Sequence, residues 1–454
     1  MLIRKIILFL LRSIKNKVPK AIKYYPNYSS KKKFIDNTCG FTKKQHQQYQ
    51  YEKMLSLLKH AQETVPWYKN KFAEFGITYN DFKNIDDIKK FPTVTKEDIR
   101  DNMDLFISSK YTKNPKHYSK TGGSTGIPVG YYQPDNIHQT EFAFFNEHWG
   151  QYNIRQLIDC SVVFRGSFVG TPENLFSFNP SANEWHFSTY HLNSDNFLKY
   201  FKKLTEIRPK FIQAYPSAIE RFSKLMIDNG LNYKIEVIMC GSEMLYDHQE
   251  LIIKKAFNTN IHSWYGLCEK VCLAFATPKS KSYHCFPQYG FTELLDKNEN
   301  SISKENVTGE IVGTSFYNYA MPLIRYKTKD MANLDLSETE GRYKNFMKLK
   351  NIDGRESEFV IARNGKMISM TAIAGSNLPF EDLKQFQFEQ DEIGKVVLKV
   401  IPKKNFNLSE LSTLKSIVAA KFLDDFEVKM KVVNQLPPSR SGKHTFLIQN
   451  IKNS

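Results

Sequence analysis

This 454-residue sequence contains few cysteines, and no two of them form a Cys-x-x-Cys pair. Six scattered thiols in a chain of this length favour a reduced, cytoplasmic protein over a disulfide-stapled scaffold. The group Cys268, Cys272, His284 and Cys285 has a spacing that matches no common zinc pattern. We therefore favour a buried core cluster over a zinc site at these positions.

Long hydrophobic runs are also missing. The uninterrupted apolar run near the start, Ile6–Leu11, is far shorter than the roughly 20 residues that span a bilayer, and no small-residue cleavage site of a signal peptide follows it. Apolar residues nevertheless recur at helical spacing there, with Arg4, Arg12 and Lys15 off the apolar stripe. Two interpretations stay open: a helix on an anionic membrane surface, at the inner face of the membrane, or a helix packed on its own domain. We favour the membrane surface because the basic run continues to Lys33.

Acidic residues are absent from the first 35 positions, so the net charge of +17 is unevenly spread. Ten Lys and Arg residues precede Asp36 and supply more than half of that excess. The body of the protein is therefore only modestly basic. Since no recognition motif accompanies the charge, we expect no nucleic-acid partner.

Hydrophobic periodicity divides the rest of the chain. A helical pattern runs from Gln45 to Phe75 with a break at Val65-Pro66, and Thr95 has the features of a helix start. Beyond Arg208, predicted strands alternate with predicted helices: strands 211–214, 235–239 and 261–264, and helices 218–226 and 251–257. This alternation predicts a parallel sheet with crossover helices, whose ligands gather at the carboxyl ends of the strands. Two loops fall at such ends, 240–243 and 265–269.

The last hundred residues have a different character. Residues 395–401 and 427–433 read as strands and 408–422 as an amphipathic helix, which predicts a small α+β domain. We accordingly predict a basic amphipathic tail over 1–34, a large domain over 35–353 and a small C-terminal domain over 354–454.

A glycine- and hydroxyl-rich segment, Lys120–Pro128, reads Lys-Thr-Gly-Gly-Ser-Thr-Gly-Ile-Pro. Glycines let successive backbone N–H groups turn toward an anion, and the hydroxyls add donors. The alternative is a plain linker. The segment is not the Gly-x-x-x-x-Gly-Lys-Ser/Thr phosphate loop, because no Lys follows Gly126.

Further motifs follow this segment in a fixed order. They are Tyr265-Gly-Leu-Cys-Glu269, the stretch from Gly309 through Met321–Tyr326 to Asp330, Gly354-Arg355, and Leu436–Lys443 with its Ser-Gly-Lys end. Together the motifs resemble those of the adenylate-forming superfamily of acyl–coenzyme A synthetases, luciferases and peptide-synthetase adenylation domains. The likeness is strongest to the phenylacetate–coenzyme A ligase-like branch, which includes members linked to capsular polysaccharide biosynthesis. This resemblance implies an α/β fold with a large N-terminal domain of mixed sheets and flanking helices, and a small mobile C-terminal lid.

The resemblance also implies roles for individual residues. By this resemblance, the pyrophosphate end of ATP would be bound by Thr121, Gly123, Ser124 and Thr125, and Mg²⁺ would be bound by Glu269. The adenine would contact Tyr265, Gly266 and the segment Gly241-Ser242-Glu243, and Asp330 would bind the ribose hydroxyls. Arg355 is expected to contact ribose or phosphate, and Lys443 to stabilise the transferring phosphoryl group. Glu269, Thr125 and Lys443 are the predicted catalytic residues.

Four positions depart from the family pattern. Gly122 stands where many relatives carry Ser, and Ser357 and Glu358 replace the acidic pair after the hinge. Lys329 replaces the usual Gly before Asp330, which puts the local turn in question.

The function implied is ATP- and Mg²⁺-dependent activation of a small carboxylic acid. The acyl acceptor is coenzyme A, as in the phenylacetate ligases, or an amine or hydroxyl of a sugar or amino acid, as the capsule-linked branch suggests. The activation motifs are shared, so the sequence leaves both acceptors open. A non-catalytic nucleotide-binding relative is a third alternative.

Overall fold

The computed structural model describes residues 20–111, 118–120, 129–166, 168–355, 359–364, 367–369, 383–402, 408–422, 426–436 and 445–451. The chain divides into two compact units. Unit 1 comprises residues 1–159, 179–184 and 264–352, and unit 2 comprises residues 160–178, 185–263 and 353–454. The predicted C-terminal domain, 354–454, therefore falls within unit 2.

The helices of the described chain are α1 (Lys20–Thr38), α2 (Lys43–Thr64), α3 (Pro66–Glu74), α4 (Lys96–Asp101), α5 (Ile137–Gly150), α6 (Phe197–Ile207), α7 (Pro216–Asp228), α8 (Asp247–Phe257) and α9 (Leu408–Phe422). Short 3₁₀ helices cover Tyr79–Asp81, Ile85–Lys90 and Met103–Phe106.

The strands are β1 (Tyr118–Lys120), β2 (Gly130–Tyr132), β3 (Ser161–Arg165), β4 (Phe176–Asn179), β5 (Glu184–Ser188), β6 (Phe211–Ala214), β7 (Val237–Gly241), β8 (Asn260–Gly266), β9 (Leu273–Thr277), β10 (Ser280–Cys285), β11 (Gly290–Leu295), β12 (Thr308–Ser315), β13 (Tyr326–Leu334), β14 (Lys348–Arg355), β15 (Phe359–Ile361), β16 (Met367–Ser369), β17 (Leu383–Glu392), β18 (Lys395–Pro402), β19 (Glu427–Val432) and β20 (Leu447–Gln449).

The predicted break between two helices near residue 65 is confirmed. Val65 is the extended residue between α2 and α3, and Pro66 begins α3, where a missing N–H costs nothing. At the other end of α2, the Thr42 side chain accepts from the Gln45 backbone while Gln45 reaches back to the Thr42 N–H. Thr95 caps α4 in the same way with Asp98, as its sequence predicted.

Unit 1 is organised around strands in the order β11-β12-β13-β14-β10-β9-β8. The pairs β11–β12, β12–β13, β9–β10, β10–β14 and β8–β9 are antiparallel. Helices α2 and α3 contribute Leu57, Leu58 and Tyr68 to a core that also holds Tyr131 and Tyr326. Two tyrosines of the candidate site are thus part of the hydrophobic core.

Unit 2 contains the parallel sheet that the strand–helix alternation predicts. Strands β3, β6 and β7 pair in parallel, with Val162 opposite Ile212 and Ile212 opposite Ile238. These strands are buried almost throughout, as expected for a parallel sheet covered by helices. The carboxyl ends of all three strands therefore lie along one edge.

The C-terminal part of unit 2 forms a four-stranded sheet in the order β19-β18-β17-β20. Helix α9 packs on it through Leu411, Leu414 and Val418, which share a core with Phe386 and Phe388 of β17. The predicted α/β class, with an α+β sheet near the carboxyl end, is confirmed.

Helix α1 packs within unit 1. Ile35 is fully buried, and the Lys32 ammonium lies 3.1 Å from the buried carboxylate of Glu147 on α5. The predicted tail boundary at residue 34 falls inside this helix, while the predicted helix at residues 3–14 lies outside the described residues. A contact with an anionic membrane remains a prediction from the sequence.

No helix in the described part of the chain is long and apolar enough to cross a bilayer. The six cysteines are free thiols. Among the described residues, no group of three or more His, Cys, Asp and Glu side chains is placed to hold a metal ion.

Candidate active site

Several predicted site residues lie outside the described residues: Thr121, Gly123, Ser124 and Thr125 of the glycine-rich segment, and Lys443. The backbone of Arg355 ends β14. The predictions for these residues stay predictions. The remaining site residues divide between the two units.

Tyr265 and Asp330 are brought into direct contact in unit 1. Tyr265 is the penultimate residue of β8, and its hydroxyl donates to Oδ2 of Asp330 on β13 at 2.7 Å. Burial and the neighbouring Asp330 charge both raise the pKa of Tyr265, so the hydroxyl keeps its proton. Gly266 ends the strand with an exposed backbone. The pair joins an aromatic ring to a carboxylate that can accept two hydrogen bonds.

An irregularity in the β12–β13 pairing orients Asp330. Glu310 faces Met331 and Val312 faces Lys327, so β13 carries extra residues between these partners. Lys329 takes up the extra length in the left-handed region, with φ of +64°. Its neighbours Thr328 and Asp330 are both buried. The Lys329 backbone thus adopts a conformation that favours glycine.

Glu269 lies in a buried pocket of unit 1 with only 7% of its surface exposed. Two tyrosine hydroxyls donate to the same oxygen, Oε1, from Tyr131 at 3.2 Å and from Tyr326 at 3.1 Å. The two hydroxyl oxygens are 3.3 Å apart. Burial, followed by the charge of Glu269, raises the pKa of both Tyr131 and Tyr326. Both phenols therefore act as neutral donors to the carboxylate.

The position of Tyr326 is fixed by the residue before it. Arg325 has φ of +51° and is almost fully buried. Its guanidinium binds both carboxylate oxygens of Glu293, at 3.0 and 3.1 Å, and donates to the Phe91 carbonyl at 2.7 Å. Burial raises the pKa of Glu293, although Arg325 opposes that shift. This bidentate pair holds the start of β13 in place.

In unit 2, the segment Gly241-Ser242-Glu243 begins at Gly241, the last residue of β7. Ser242 adopts the left-handed region with φ of +65°, an uncommon conformation for a residue with a Cβ. Glu243 turns back so that Oε2 accepts from the Ser217 backbone N–H at 3.1 Å, at the start of α7. The ends of β6 and β7 are thus linked by a carboxylate.

Sequence reasoning did not assign roles to Tyr131, Tyr326 or Arg165. Arg165 ends β3, beside the ends of β6 and β7. Burial raises the pKa of Tyr215, and the positive charge of Arg165 opposes the rise. In the sequence, Arg165 is marked only as a lone cation at the end of an apolar strand. Tyr326 lies in the motif stretch Met321–Tyr326, whereas Tyr131 lies in no motif, and neither is near Glu269 in sequence.

The donor set around Glu269 fits a hard divalent cation that is shared with phosphate groups. Oε1 is occupied by the two hydroxyls, and among the described residues no donor contacts Oε2. Mg²⁺ is typically bound by one or two carboxylates together with substrate phosphates. A carboxylate oxygen that accepts no hydrogen bond from the described residues fits that requirement.

Comparisons with known proteins extend over nearly the whole chain. Residues 360–450 match the family model of the CapK C-terminal domain. The chain is 24% identical to protein CapK of Staphylococcus aureus over 98% of this chain and 97% of that protein. It is 23% identical to the phenylacetate-coenzyme A ligase of Escherichia coli (strain K12), over 77% of this chain and 80% of the ligase.

Among solved structures, a 2-hydroxyisobutyryl-CoA ligase in the postadenylation state has a similar fold. The TM-score is 0.68 at 16% identity, over 88% of each chain. This likeness confirms the large domain of mixed sheets and the separate C-terminal domain that the sequence predicts.

Proposed function

We propose that this chain is an adenylate-forming ligase that activates a carboxylic acid with ATP and transfers the acyl group to coenzyme A, as its similarity to protein CapK and to phenylacetate-coenzyme A ligases suggests. In the first step, a carboxylate oxygen attacks the α-phosphorus of ATP and pyrophosphate leaves. In the second step, the thiol sulfur attacks the acyl carbon, AMP leaves and the thiol proton is released. The observation that carries the proposal is the Tyr265–Asp330 contact in the same unit as the buried Glu269.

Asp330 is the proposed acceptor of the ribose hydroxyls. Its Oδ2 accepts a hydrogen bond from the Tyr265 hydroxyl, and a carboxylate can accept several hydrogen bonds through its two oxygens. The Tyr265 ring and the exposed Gly266 backbone offer a flat surface for adenine. The direct hydrogen bond keeps ring and carboxylate in a fixed relation, which limits the entropy lost when nucleotide binds.

Glu269 is the proposed protein ligand of Mg²⁺, through Oε2. When bound, the cation would neutralise charge on the triphosphate. The glycine-rich segment, with Thr121, Gly123, Ser124 and Thr125, would add donors to the pyrophosphate end. Lys443 would place a compact cation beside the reacting phosphoryl group. Gly241-Ser242-Glu243 is proposed to border the adenine and Arg355 to contact ribose or phosphate.

A second acceptor is supported by one specific observation. CapK is matched across 98% of this chain, whereas the phenylacetate ligase of Escherichia coli is matched across 77%. The CapK model also covers residues 360–450, within the predicted lid. An amine or hydroxyl of a sugar or amino acid in capsular polysaccharide biosynthesis is therefore the alternative acceptor.

Product analysis distinguishes the two acceptors. The purified full chain is incubated with ATP, Mg²⁺ and a panel of carboxylic acids, with and without coenzyme A, and the products are identified by mass spectrometry. An acyl thioester formed over many turnovers is the expected result. An acyl-adenylate held by the enzyme, with no thioester, would overturn the coenzyme A assignment in favour of the alternative.

A further inference from the structure

We propose that Tyr131 and Tyr326 are positioning residues that hold the Glu269 carboxylate in the orientation that binds the metal. The inference rests on the proposed function, because it gives Glu269 a metal to bind. Both hydroxyls donate to Oε1 of Glu269, and no donor among the described residues contacts Oε2. One carboxylate oxygen is thereby used for orientation and the other is left for the cation.

The hydrogen-bond geometry favours donation by both tyrosines. An ionised carboxylate only accepts hydrogen bonds, and each phenol has a single proton to give. With distances of 3.2 and 3.1 Å to Oε1, both protons can be directed to the charged oxygen. The 3.3 Å separation of the two hydroxyl oxygens is then a contact rather than a hydrogen bond. Two charge-assisted bonds restrict rotation of the carboxylate about its terminal torsion.

The tyrosines are themselves rigidly held, as positioning requires. Tyr131 is fully buried on β2, and Tyr326 is 2% exposed at the start of β13. The backbone on either side of Tyr326 is pinned to Val94: the Val94 N–H donates to the Arg325 carbonyl at 3.0 Å, and the Lys327 N–H donates to the Val94 carbonyl at 2.8 Å. Neither hydroxyl can follow the carboxylate if it rotates.

Partners behind a metal ligand contribute substantially to metal affinity. Removing such a partner typically weakens metal binding about 10- to 100-fold. Since two hydroxyls share the task here, we expect about threefold to tenfold weakening for one and at least tenfold for both.

The test measures how much Mg²⁺ strengthens nucleotide binding. Isothermal titration calorimetry gives the dissociation constant of α,β-methylene-ATP with excess Mg²⁺ and with EDTA. The ratio of the EDTA value to the Mg²⁺ value measures how much the metal strengthens nucleotide binding. The variants are Tyr131→Phe, Tyr326→Phe and the double variant. Tyr343→Phe is the matched control, because the Tyr343 hydroxyl donates to a different buried carboxylate in unit 1, that of Glu147. We expect the ratio to fall at least tenfold in the double variant and to stay within twofold in the control.

A kinetic readout separates positioning from general damage. In acid-dependent pyrophosphate exchange, each single variant should need a higher Mg²⁺ concentration for half-maximal rate and approach the wild-type rate at saturation. A rate that is lowered equally at every Mg²⁺ concentration would contradict the positioning role. The single variants keep this test available if the double variant does not fold.

Glu269→Gln separates the inference from the proposed function on which it rests. Loss of the Mg²⁺ effect in Glu269→Gln but not in the tyrosine variants would overturn the positioning role alone. A full Mg²⁺ effect in Glu269→Gln would remove Glu269 as the metal ligand. Failure of the wild-type protein to bind the nucleotide at all would contradict the proposed function itself.

Discussion

At the scale of single residues, Lys329 shows how one backbone angle places a site residue. Its φ of +64° absorbs the irregularity between β12 and β13, so that Thr328 and Asp330 on either side are both buried. A residue with a Cβ in this left-handed region destabilises the folded state by roughly 1–2 kcal/mol. The half-exposed Lys329–Glu97 ion pair, at 2.9 Å, offsets this by at most about 1 kcal/mol.

We predict that Lys329→Gly is more stable than Lys329→Ala by about 1 kcal/mol. Both variants lose the ion pair with Glu97, but only Gly relieves the left-handed strain, and the entropy that Gly gains on unfolding offsets part of this. Thermal denaturation of both variants and wild type measures the difference. Ordinarily Gly within a strand is less stable than Ala, so equal or reversed stability would contradict this account of the turn.

The sequence singles out Tyr265, Glu269 and Asp330 because they stand in short motifs with fixed spacings. The structure brings Tyr265 and Asp330 into contact, while the roles of the three residues stay predictions. The partners of Glu269 were not predictable. Tyr131 lies 138 residues away and Tyr326 lies 57 residues away, and only the tertiary packing of unit 1 brings them to one oxygen.

At the scale of elements, a buried charge cluster joins helices α7 and α8 to strand β17 in unit 2. The Glu220 carboxylate on α7 lies 2.9 Å from the Lys224 ammonium and accepts from Gln249 on α8 at 2.8 Å. Lys224 also donates to the Leu383 carbonyl, the first residue of β17, at 3.3 Å. Next to this cluster, the ring centroids of Tyr246 and Phe446 are 5.0 Å apart. Polar and aromatic contacts thus tie the C-terminal sheet to the two helices.

We predict that Glu220→Gln lowers the stability of the full chain by about 3 kcal/mol, because Lys224 is left buried without its counterion. Adding Lys224→Met should recover at least half of the loss, since the ammonium that lost its counterion is then removed as well. Chemical denaturation of wild type, both single variants and the double variant measures the coupling. Simple additivity of the two single effects would show that the charges do not interact.

The same pair gives a defined pH dependence. Burial acts to raise the pKa of Glu220, but Lys224, His248 and Gln249 outweigh it and hold the pKa at about 2, against an ordinary value of 4.5. Below pH 4.5 the Glu220 carboxylate is protonated in the unfolded chain, whereas in the folded chain it stays ionised until about pH 2. The stability that wild type gains over Glu220→Gln should therefore shrink as the pH falls from 4.5 toward 2. A difference that grew below pH 4.5 would contradict this assignment.

Element positions followed from the sequence wherever apolar periodicity was strong. Strand β6 and helix α9 have the predicted bounds, 211–214 and 408–422. Helix α8 begins four residues before its prediction, at Asp247, because its first turn is polar and carries no apolar signal. Helix α7 begins at Pro216 rather than 218, since proline is favourable in the first turn.

At the scale of the whole molecule, unit 1 holds the Tyr265–Asp330 pair and the buried Glu269, and unit 2 holds a parallel sheet and a C-terminal sheet. Unit 2 is assembled from three separate stretches of chain, 160–178, 185–263 and 353–454. Hydrophobic periodicity reports the local structure of each stretch, but not which distant stretch covers it. The fold class was therefore predictable, while the grouping of the stretches into units was not.

Acid-dependent exchange of labelled pyrophosphate into ATP tests the central claim most directly, because it requires reversible formation of an acyl-adenylate. Wild-type protein should catalyse the exchange with at least one acid of a broad panel. Lys443→Ala should reduce that rate about a thousandfold while changing the dissociation constant for ATP less than about threefold, since the ammonium acts mainly on the transition state. Absence of exchange with every acid, or exchange by Lys443→Ala at the wild-type rate, would contradict the account.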